Sequence, residues 1–247
     1  MSKIKITVAT VGHMPADFKR QKIKEWDSSV FEILDGIESY SLNCDSDGHE
    51  WEYTDEALEN VLPKKFNGEF LIAIVNVPLE LNWYSRRLSE NRVVFSFHEI
   101  KEILRFSNIP LENIICRLLY SYTLLYKRSG NCIPKNAAHT NFTHDETRGC
   151  LFDMNGIKTD VIYSCHNPVI CPDCIGRLRR ENVSDDTITQ CQTEIRRIHK
   201  ALFYRITDFI KQHPLWSLAI SAATAIILGA LGSVLGSYVY EAIKQQG

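Results

Sequence analysis

The stretch Pro214–Tyr240, PLWSLAISAATAIILGALGSVLGSYVY, contains 27 consecutive residues without a charged side chain, between His213 and Glu241. A helix that crosses the hydrocarbon core of a bilayer needs roughly 20 mainly apolar residues, so this run is long enough even with some tilt. A helix buried in a soluble core is usually shorter. We therefore predict a transmembrane helix over residues 214–240, preceded by a soluble domain, in preference to a buried hairpin helix.

Basic residues concentrate on the N-terminal side of this run, whereas Lys244 is the one basic residue after it. The basic residues that precede the run most closely are Arg196, Arg197, Lys200, Arg205 and Lys211. Basic flanks of a span remain on the cytoplasmic side. The opening residues, MSKIKITVATVGHMP, also lack an apolar core of signal-peptide length. We predict a single-pass protein of the cell membrane with a cytoplasmic soluble domain.

Three glycines within the predicted span lie at spacings that favour contact between helices. Gly232 and Gly236 form a GxxxG motif, and Gly229 follows Ala225 at the same spacing. Small residues allow helices in lipid to approach closely. We predict a homo-oligomer through these glycines, although many single spans carry such spacings without associating.

The segment 187–213, which connects the soluble part to the span, carries an apolar stripe. Its apolar residues recur every three or four positions: Ile188, Cys191, Ile195, Ile198, Leu202, Ile206 and Phe209. This period predicts one long amphipathic connecting helix. Such a helix would lie against its own domain or the membrane surface, or form a coiled coil.

Strand-like and helical patterns alternate along residues 1–180, which we predict to be one soluble domain. The predicted strands are Lys3–Thr10, Val30–Ile37, Phe70–Val77 and Arg92–Phe97, and the predicted helices are Ala16–Trp26, His98–Phe106 and Leu111–Tyr126. The last of these helices is apolar nearly all round, which is typical of a buried central helix. The alternation predicts an α/β (or α+β) fold.

Charge and cysteine content exclude some classes of function. The formal net charge is −2, and no basic block is dense enough to follow a phosphate backbone, so we expect no nucleic-acid partner. The chain has eight cysteines. In a protein predicted to be cytoplasmic, cysteines bind metal or are buried more often than they form disulfides.

The segment 144–178, HDETRGCLFDMNGIKTDVIYSCHNPVICPDCIGRL, combines residues of the types that bind zinc. Cys171 and Cys174 form a C-P-x-C knuckle, and Zn²⁺ requires four tetrahedral nitrogen or sulfur ligands in a structural site. We predict a structural zinc bound by His144, Cys150, Cys171 and Cys174. Cys165 and His166 are alternative fourth ligands. A thioredoxin-like redox pair and simple thiols without a metal are the other interpretations.

The residues just described resemble the archaemetzincins, which are zinc peptidases of the zincin class. Their signature runs from HExxH through a third His to cysteines, a Met and a late C-P-x-C. His144, Cys150, Met154 and the Cys171–Cys174 knuckle follow a similar order. The resemblance covers residues 70–178, and it implies a zincin-like α/β domain with a mixed sheet and a structural zinc.

The chain departs from that family at the catalytic helix. The predicted helix Leu111–Tyr126 contains no His, and its Asn113 and Arg117, four residues apart, cannot replace two imidazole ligands. The nearest match to HExxH begins at His98 and has Glu102 in place of the second His. We predict no catalytic residue, as in a pseudo-metallopeptidase. Arg86 and Arg87 would suit an anion clamp, but surface arginines beside a strand rarely have so specific a role.

Together these features predict a membrane-tethered binding or effector module. It would recruit or sense a protein partner and act at the membrane by self-assembly, as toxin-like effectors of bacterial defence do. One alternative is a membrane-anchored zinc peptidase whose divergent ligands come from His98, Glu102, His139 and His144. The other is a scaffold subunit of a membrane complex.

Overall fold

The computed structural model describes residues 2–136, 141–144 and 147–244. It consists of two compact units, Met1–Lys200 and Ala201–Gly247. The connecting segment predicted over residues 187–213 is therefore divided between the two units.

A five-stranded mixed sheet forms the centre of the first unit. Its strands are β1 (Ile4–Val11), β2 (Phe31–Tyr40), β3 (Phe70–Val75), β4 (Ser85–Arg87) and β5 (Arg92–Ser96), in the spatial order β2-β1-β3-β5-β4. Strands β1, β2, β3 and β5 pair in parallel, and the short edge strand β4 pairs antiparallel with β5. The predicted α/β class and mixed sheet are confirmed.

Seven helices surround this sheet in the described part of the first unit. They are α1 (Arg20–Lys24), α2 (Asp55–Val61), α3 (Ile100–Phe106), α4 (Glu112–Arg128), α5 (Val161–Ser164), α6 (Pro172–Arg180) and α7 (Asp185–Glu194). All six residues of β3 are buried, because apolar side chains cover both faces of the sheet at its centre. Leu58 of α2 belongs to the smaller cluster on one face, whereas α3 and α4 contribute to the larger cluster that includes Ile72 and Phe95.

Helix α4 is the predicted central helix, and its residues from Glu112 to Tyr126 are all buried. Several of its polar groups form hydrogen bonds with neighbouring segments, as most buried polar groups do. The Tyr120 hydroxyl accepts a hydrogen bond from Trp26 Nε1 at 3.0 Å and donates one to Glu194 Oε2 at 2.7 Å. At the start of the helix, a Glu112 carboxylate oxygen accepts the backbone N–H of Lys19 at 2.6 Å. Burial of α4 thus joins three distant parts of the chain.

The prediction of one long helix from Thr187 was wrong. Helix α7 ends at Glu194, a single 3-10 turn spans Ile195–Arg197, and Ile198 is extended, with φ −80° and ψ 93°. The apolar stripe serves two environments. Its first half, Ile188 to Ile198, is buried in the first unit, whereas Leu202, Ile206 and Phe209 remain exposed. A period of three or four residues cannot distinguish one continuous helix from two that are oriented separately.

Residues 194–200 are held to the first unit by several bonds. The Glu194 carboxylate accepts hydrogen bonds from Ser28 and Ser29 as well as from Tyr120. The Arg197 guanidinium lies 4.8 Å from the centroid of the Trp26 ring. The Ile198 carbonyl accepts the backbone N–H of Asn167 at 2.8 Å. The chain therefore leaves this unit from a fixed point.

The second unit consists of two helices, α8 (Leu202–Gln212) and α9 (Pro214–Lys244). Pro214 occupies the first position of α9, where a missing backbone N–H has no cost. Within α9, residues Pro214–Ser237 have a mean hydropathy of 2.2 and none of them is buried. These 24 helical residues would span about 36 Å, more than the roughly 30 Å of a hydrocarbon core. Within the described residues, α9 is the one helix that is both long enough and apolar enough to cross a membrane.

Candidate metal centre

The structure brings His144, Cys150, Cys171 and Cys174 together in the first unit. One ligand atom from each, the His ring nitrogen or the Cys Sγ, lies within 4.8 Å of all the others. The three cysteines are buried and the histidine is half-buried. The four side chains form a candidate metal site with the donor set of a structural zinc, three thiolates and one imidazole.

The first half of the cluster is a short turn-rich segment held by backbone hydrogen bonds. The His144 N–H donates to the Phe152 carbonyl at 3.0 Å, and Met154 N–H donates to the His144 carbonyl at 2.9 Å. Gly149 precedes Cys150 and has a φ of +86°, a conformation that side-chain-bearing residues rarely adopt. These bonds hold His144 beside Phe152 and Met154, so that the His144 and Cys150 side chains lie close together.

The second half of the cluster is the start of helix α6. Cys171 is the residue that caps this helix, and its Sγ accepts the backbone N–H of Cys174 at 3.5 Å. Pro172 occupies the first helical turn, where it needs no hydrogen bond. The N-terminus of a helix favours negative charge, and it stabilises thiolates in particular. The C-P-x-C spacing thus presents both sulfurs on one side of the helix start.

The distances within the cluster match a tetrahedral metal site. His144 Nε2 lies 3.2 Å from Cys150 Sγ and 3.5 Å from Cys171 Sγ, and the Cys150 and Cys174 sulfurs are 4.0 Å apart. Around a tetrahedral Zn²⁺ with its usual bond lengths, nitrogen–sulfur and sulfur–sulfur separations would be about 3.6 and about 3.8 Å. These three separations are close to those of a tetrahedral zinc site, and every pair of ligand atoms lies within 4.8 Å.

Hydrogen bonds within the cluster favour a thiolate at Cys150. The Cys174 thiol and the backbone N–H groups of Cys171 and Phe152 lower the pKa of Cys150, although burial opposes them. Hydrogen bonding to Cys150 raises the pKa of Cys174, and burial and the charge of that thiolate act in the same direction. A cation between them would remove this conflict, because it stabilises every thiolate that it binds.

The two alternative ligands lie elsewhere in the first unit. Cys165 is fully buried, burial raises its pKa to about 12, and its carbonyl accepts a hydrogen bond from Asn113 Nδ2. His166 has its Nδ1 atom 3.3 Å from the backbone nitrogen of Lys200. Neither residue joins the cluster, so of the three candidates for the fourth ligand the structure places His144 there.

Among the described residues, those proposed for a divergent peptidase site do not form a shared ligand cluster. Helix α3 begins at Ile100, and Glu99 before it has a φ of +59°, so His98 and Glu102 do not share a helical turn. The Glu102 carboxylate instead accepts a hydrogen bond from Arg105 Nη1 at 2.8 Å. His139 lies outside the described residues, as do Asp145 and Glu146.

A cavity of about 380 Å³ opens beside α4 and β4. Helix α4 contributes Arg117 and Ser121, four residues apart, and β4 contributes Ser85, Arg86 and Arg87. Sequence reasoning missed this cavity as a site, although it noted Arg86 and Arg87. The signal available in the sequence was Arg117, a charge within an otherwise apolar helix.

No family model matches this chain, and no curated protein matches it. Among solved structures, the fold is similar to the crystal structure of archaemetzincin from Methanopyrus kandleri, with 15% sequence identity and a TM-score of 0.44. The match covers 72% of this chain and 95% of that one.

Proposed function

We propose that this protein is a zinc-stabilised binding module, tethered to a membrane by one helix, that recruits a partner without hydrolysing it. The observation that carries the proposal is the closed donor set of His144, Cys150, Cys171 and Cys174. Structural zinc sites use four protein ligands, whereas catalytic sites leave one position for water or substrate. Helix α4, moreover, contains no histidine. Among the described residues, the chain therefore supplies one set of ligands, which suits a structural metal, and no second set that would suit a catalytic one.

Metal stoichiometry tests this proposal against the peptidase alternative. We expect the full-length protein, purified in detergent, to contain one zinc per chain by mass spectrometry, both as the natural sequence and as His98→Ala/Glu102→Gln. The substitution should be tolerated because the Glu102–Arg105 ion pair is exposed, and exposed pairs contribute little to stability. A second metal that disappears in this variant would contradict the proposal and support a divergent peptidase.

We place the first unit on the cytoplasmic side of the cell membrane. The support is the sequence itself, since the basic residues near the span precede it, and basic flanks stay in the cytoplasm. The partner would then be a cytoplasmic protein. A scaffold subunit of a larger membrane complex would have the same orientation. It would differ in remaining bound to its partner permanently, whereas a recruiting module binds its partner only at certain times.

We also propose that the span associates with a second copy through Gly229, Gly232 and Gly236. A Cβ atom added at any of these glycines would meet no neighbouring atom within 4 Å, so this face is open to another helix. Close approach of helices in lipid depends on such small residues. We expect Gly232→Leu to abolish chemical crosslinking of the protein in membranes, with Leu231→Ile as the matched control. Equal crosslinking of Gly232→Leu and the natural sequence would rule out this interface.

A further inference from the structure

We propose that the cavity between α4 and β4 binds a small organic anion, with its carboxylate or phosphate group held by the Arg117 guanidinium and the Tyr84 hydroxyl. This inference rests on the proposed binding function, and it names the chemical class of ligand that the first unit recognises. Four observations support it. Arg117 is a buried cation, and the Tyr84 hydroxyl has a proton that it can still donate. Among the described residues, the other charged ones that line the cavity are also arginines, and most of the remaining lining is apolar.

Arg117 is a buried cation that forms no ion pair within 4 Å among the described residues, although the charge of the nearby Asp153 side chain helps to stabilise it. The residue is 2% exposed, and its guanidinium donates to the Tyr84 hydroxyl at 3.1 Å and to the Asp153 carbonyl at 2.8 Å. Its Nε–H has no hydrogen-bond partner in the described structure. Arginine stays protonated in proteins, and a buried charge is costly unless it is paired. Arg117 therefore has a buried N–H donor to satisfy, and no carboxylate of the described residues is bound directly to its guanidinium.

Tyr84 supplies a second donor at the same place. Its hydroxyl oxygen accepts hydrogen bonds from Arg117 Nη1 and Asn155 Nδ2, each at 3.1 Å. A phenol can donate its own proton as well, and neither of these two bonds uses it. The ring also lies 5.7 Å below the Arg117 guanidinium carbon. These contacts fix the hydroxyl beside the cation, as an oxyanion would require.

The lining of the cavity is positive. Among the described residues that line it there are three arginines and no aspartate or glutamate. Asp55 and Glu80 balance the charge of Arg86 through contacts of 2.7 and 3.0 Å. Burial lowers the pKa of Arg87, and the charges of Arg128 and Arg86 act in the same direction. A cavity whose charge has one sign concentrates ligands of the opposite sign.

The rest of the lining is apolar, which limits the ligand to an anion with a hydrophobic part. The apolar and aromatic residues of the lining are Trp83, Leu118, Tyr122, Phe142, Leu151 and Met154. The volume of about 380 Å³ is within the range of small-molecule sites. A ring or short aliphatic group would pack against these side chains while its charged end meets Arg117.

Two probes with the same ring separate the possible anions. We expect benzoate, phenyl phosphate or both to bind the full-length protein in detergent, measured by isothermal titration calorimetry, while neutral benzyl alcohol does not bind. Binding of benzoate alone identifies a carboxylate site, and binding of phenyl phosphate alone identifies a phosphate site. No binding of either anion at millimolar concentration would overturn the proposal.

Three variants test the named residues. We expect Arg117→Gln to weaken binding at least tenfold and Tyr84→Phe to weaken it severalfold, while Arg105→Gln, the same change at an exposed arginine, leaves it unchanged. If Arg117 served only to join α4 to the Asp153 loop, its replacement would lower the melting temperature without changing affinity. If Arg117→Gln fails to fold, Tyr84→Phe decides, and unchanged affinity in that variant would overturn the proposal. Zinc content is measured on the same samples, so that failure of the anion site is distinguishable from failure of the metal-stabilised binding module.

Discussion

Replacing Cys171 and Cys174 with serine together will remove the metal and abolish cooperative unfolding of the first unit. The cluster joins His144 and Cys150 to the start of α6, and the described residues around Cys150 form no helix or strand of their own. Binding of structural zinc contributes about 10–16 kcal/mol in small zinc domains, whereas whole domains are stable by only about 5–15 kcal/mol. We expect zinc content to fall from one per chain to none. The thermal transition, followed by circular dichroism, should disappear or move far below that of the natural protein.

Cys132→Ser is the matched control for this experiment. Cys132 is an exposed free thiol outside the cluster, so the same chemical change there should leave zinc content and melting unchanged. A Cys171→Ser/Cys174→Ser variant that melts like this control would show that the four residues do not hold a structural metal.

Arginine at both Ile226 and Ile227 will remove the protein from the membrane. These residues lie at the centre of Pro214–Ser237 and are 73% and 59% exposed. Each arginine costs about 2.5–3.5 kcal/mol at the middle of a spanning helix, so the pair costs about 5–7 kcal/mol. This corresponds to a loss of at least a thousandfold in partition into the bilayer. The measurement is the fraction of protein that stays with membranes after alkaline carbonate washing.

Leucine at the same two positions provides the control, since it preserves apolar character and volume. If the arginine variant remains as firmly in the membrane as the leucine variant, α9 is not the anchor. The natural protein in the same cells reports orientation through Cys132. Its exposed thiol should react with a maleimide that cannot cross a bilayer only after the cells are lysed. Labelling of intact cells, absent in Cys132→Ser, would place the first unit outside the cytoplasm.

The features that could be predicted from the sequence are those that a short stretch of residues determines by itself. The span and the central helix α4 follow from composition alone, and the C-P-x-C knuckle follows from the spacing that helix starts impose on two thiolates. Helix α2 was missed although it carries a local signal, with Thr54 as its cap and Asp55 in its first turn. A capping residue followed by acidic residues is a known helix-start pattern, so α2 could have been predicted from the sequence.

Other features depend on contacts between distant segments, and sequence could not provide them. The positive φ of Glu99 separates His98 from Glu102 although their spacing suits a helix face. The extended conformation of Ile198 interrupts a stripe whose period is regular. The cavity around Arg117 likewise forms only when Tyr84, just before β4, packs against helix α4. The two residues are 33 positions apart in the chain.

The bonds that hold residues 194–200 have a mechanical consequence. Tension applied to the chain at Lys200 would reach two regions at once. One is the loop around Trp26 and Ser28, through Arg197 and Glu194, and the other is Asn167, through the Ile198 carbonyl. Asn167 lies four residues before Cys171. A load on the second unit would therefore be shared between a loop beside the sheet and the segment that leads to Cys171. A zinc bound at Cys171 would then help that segment to resist being pulled away from the domain.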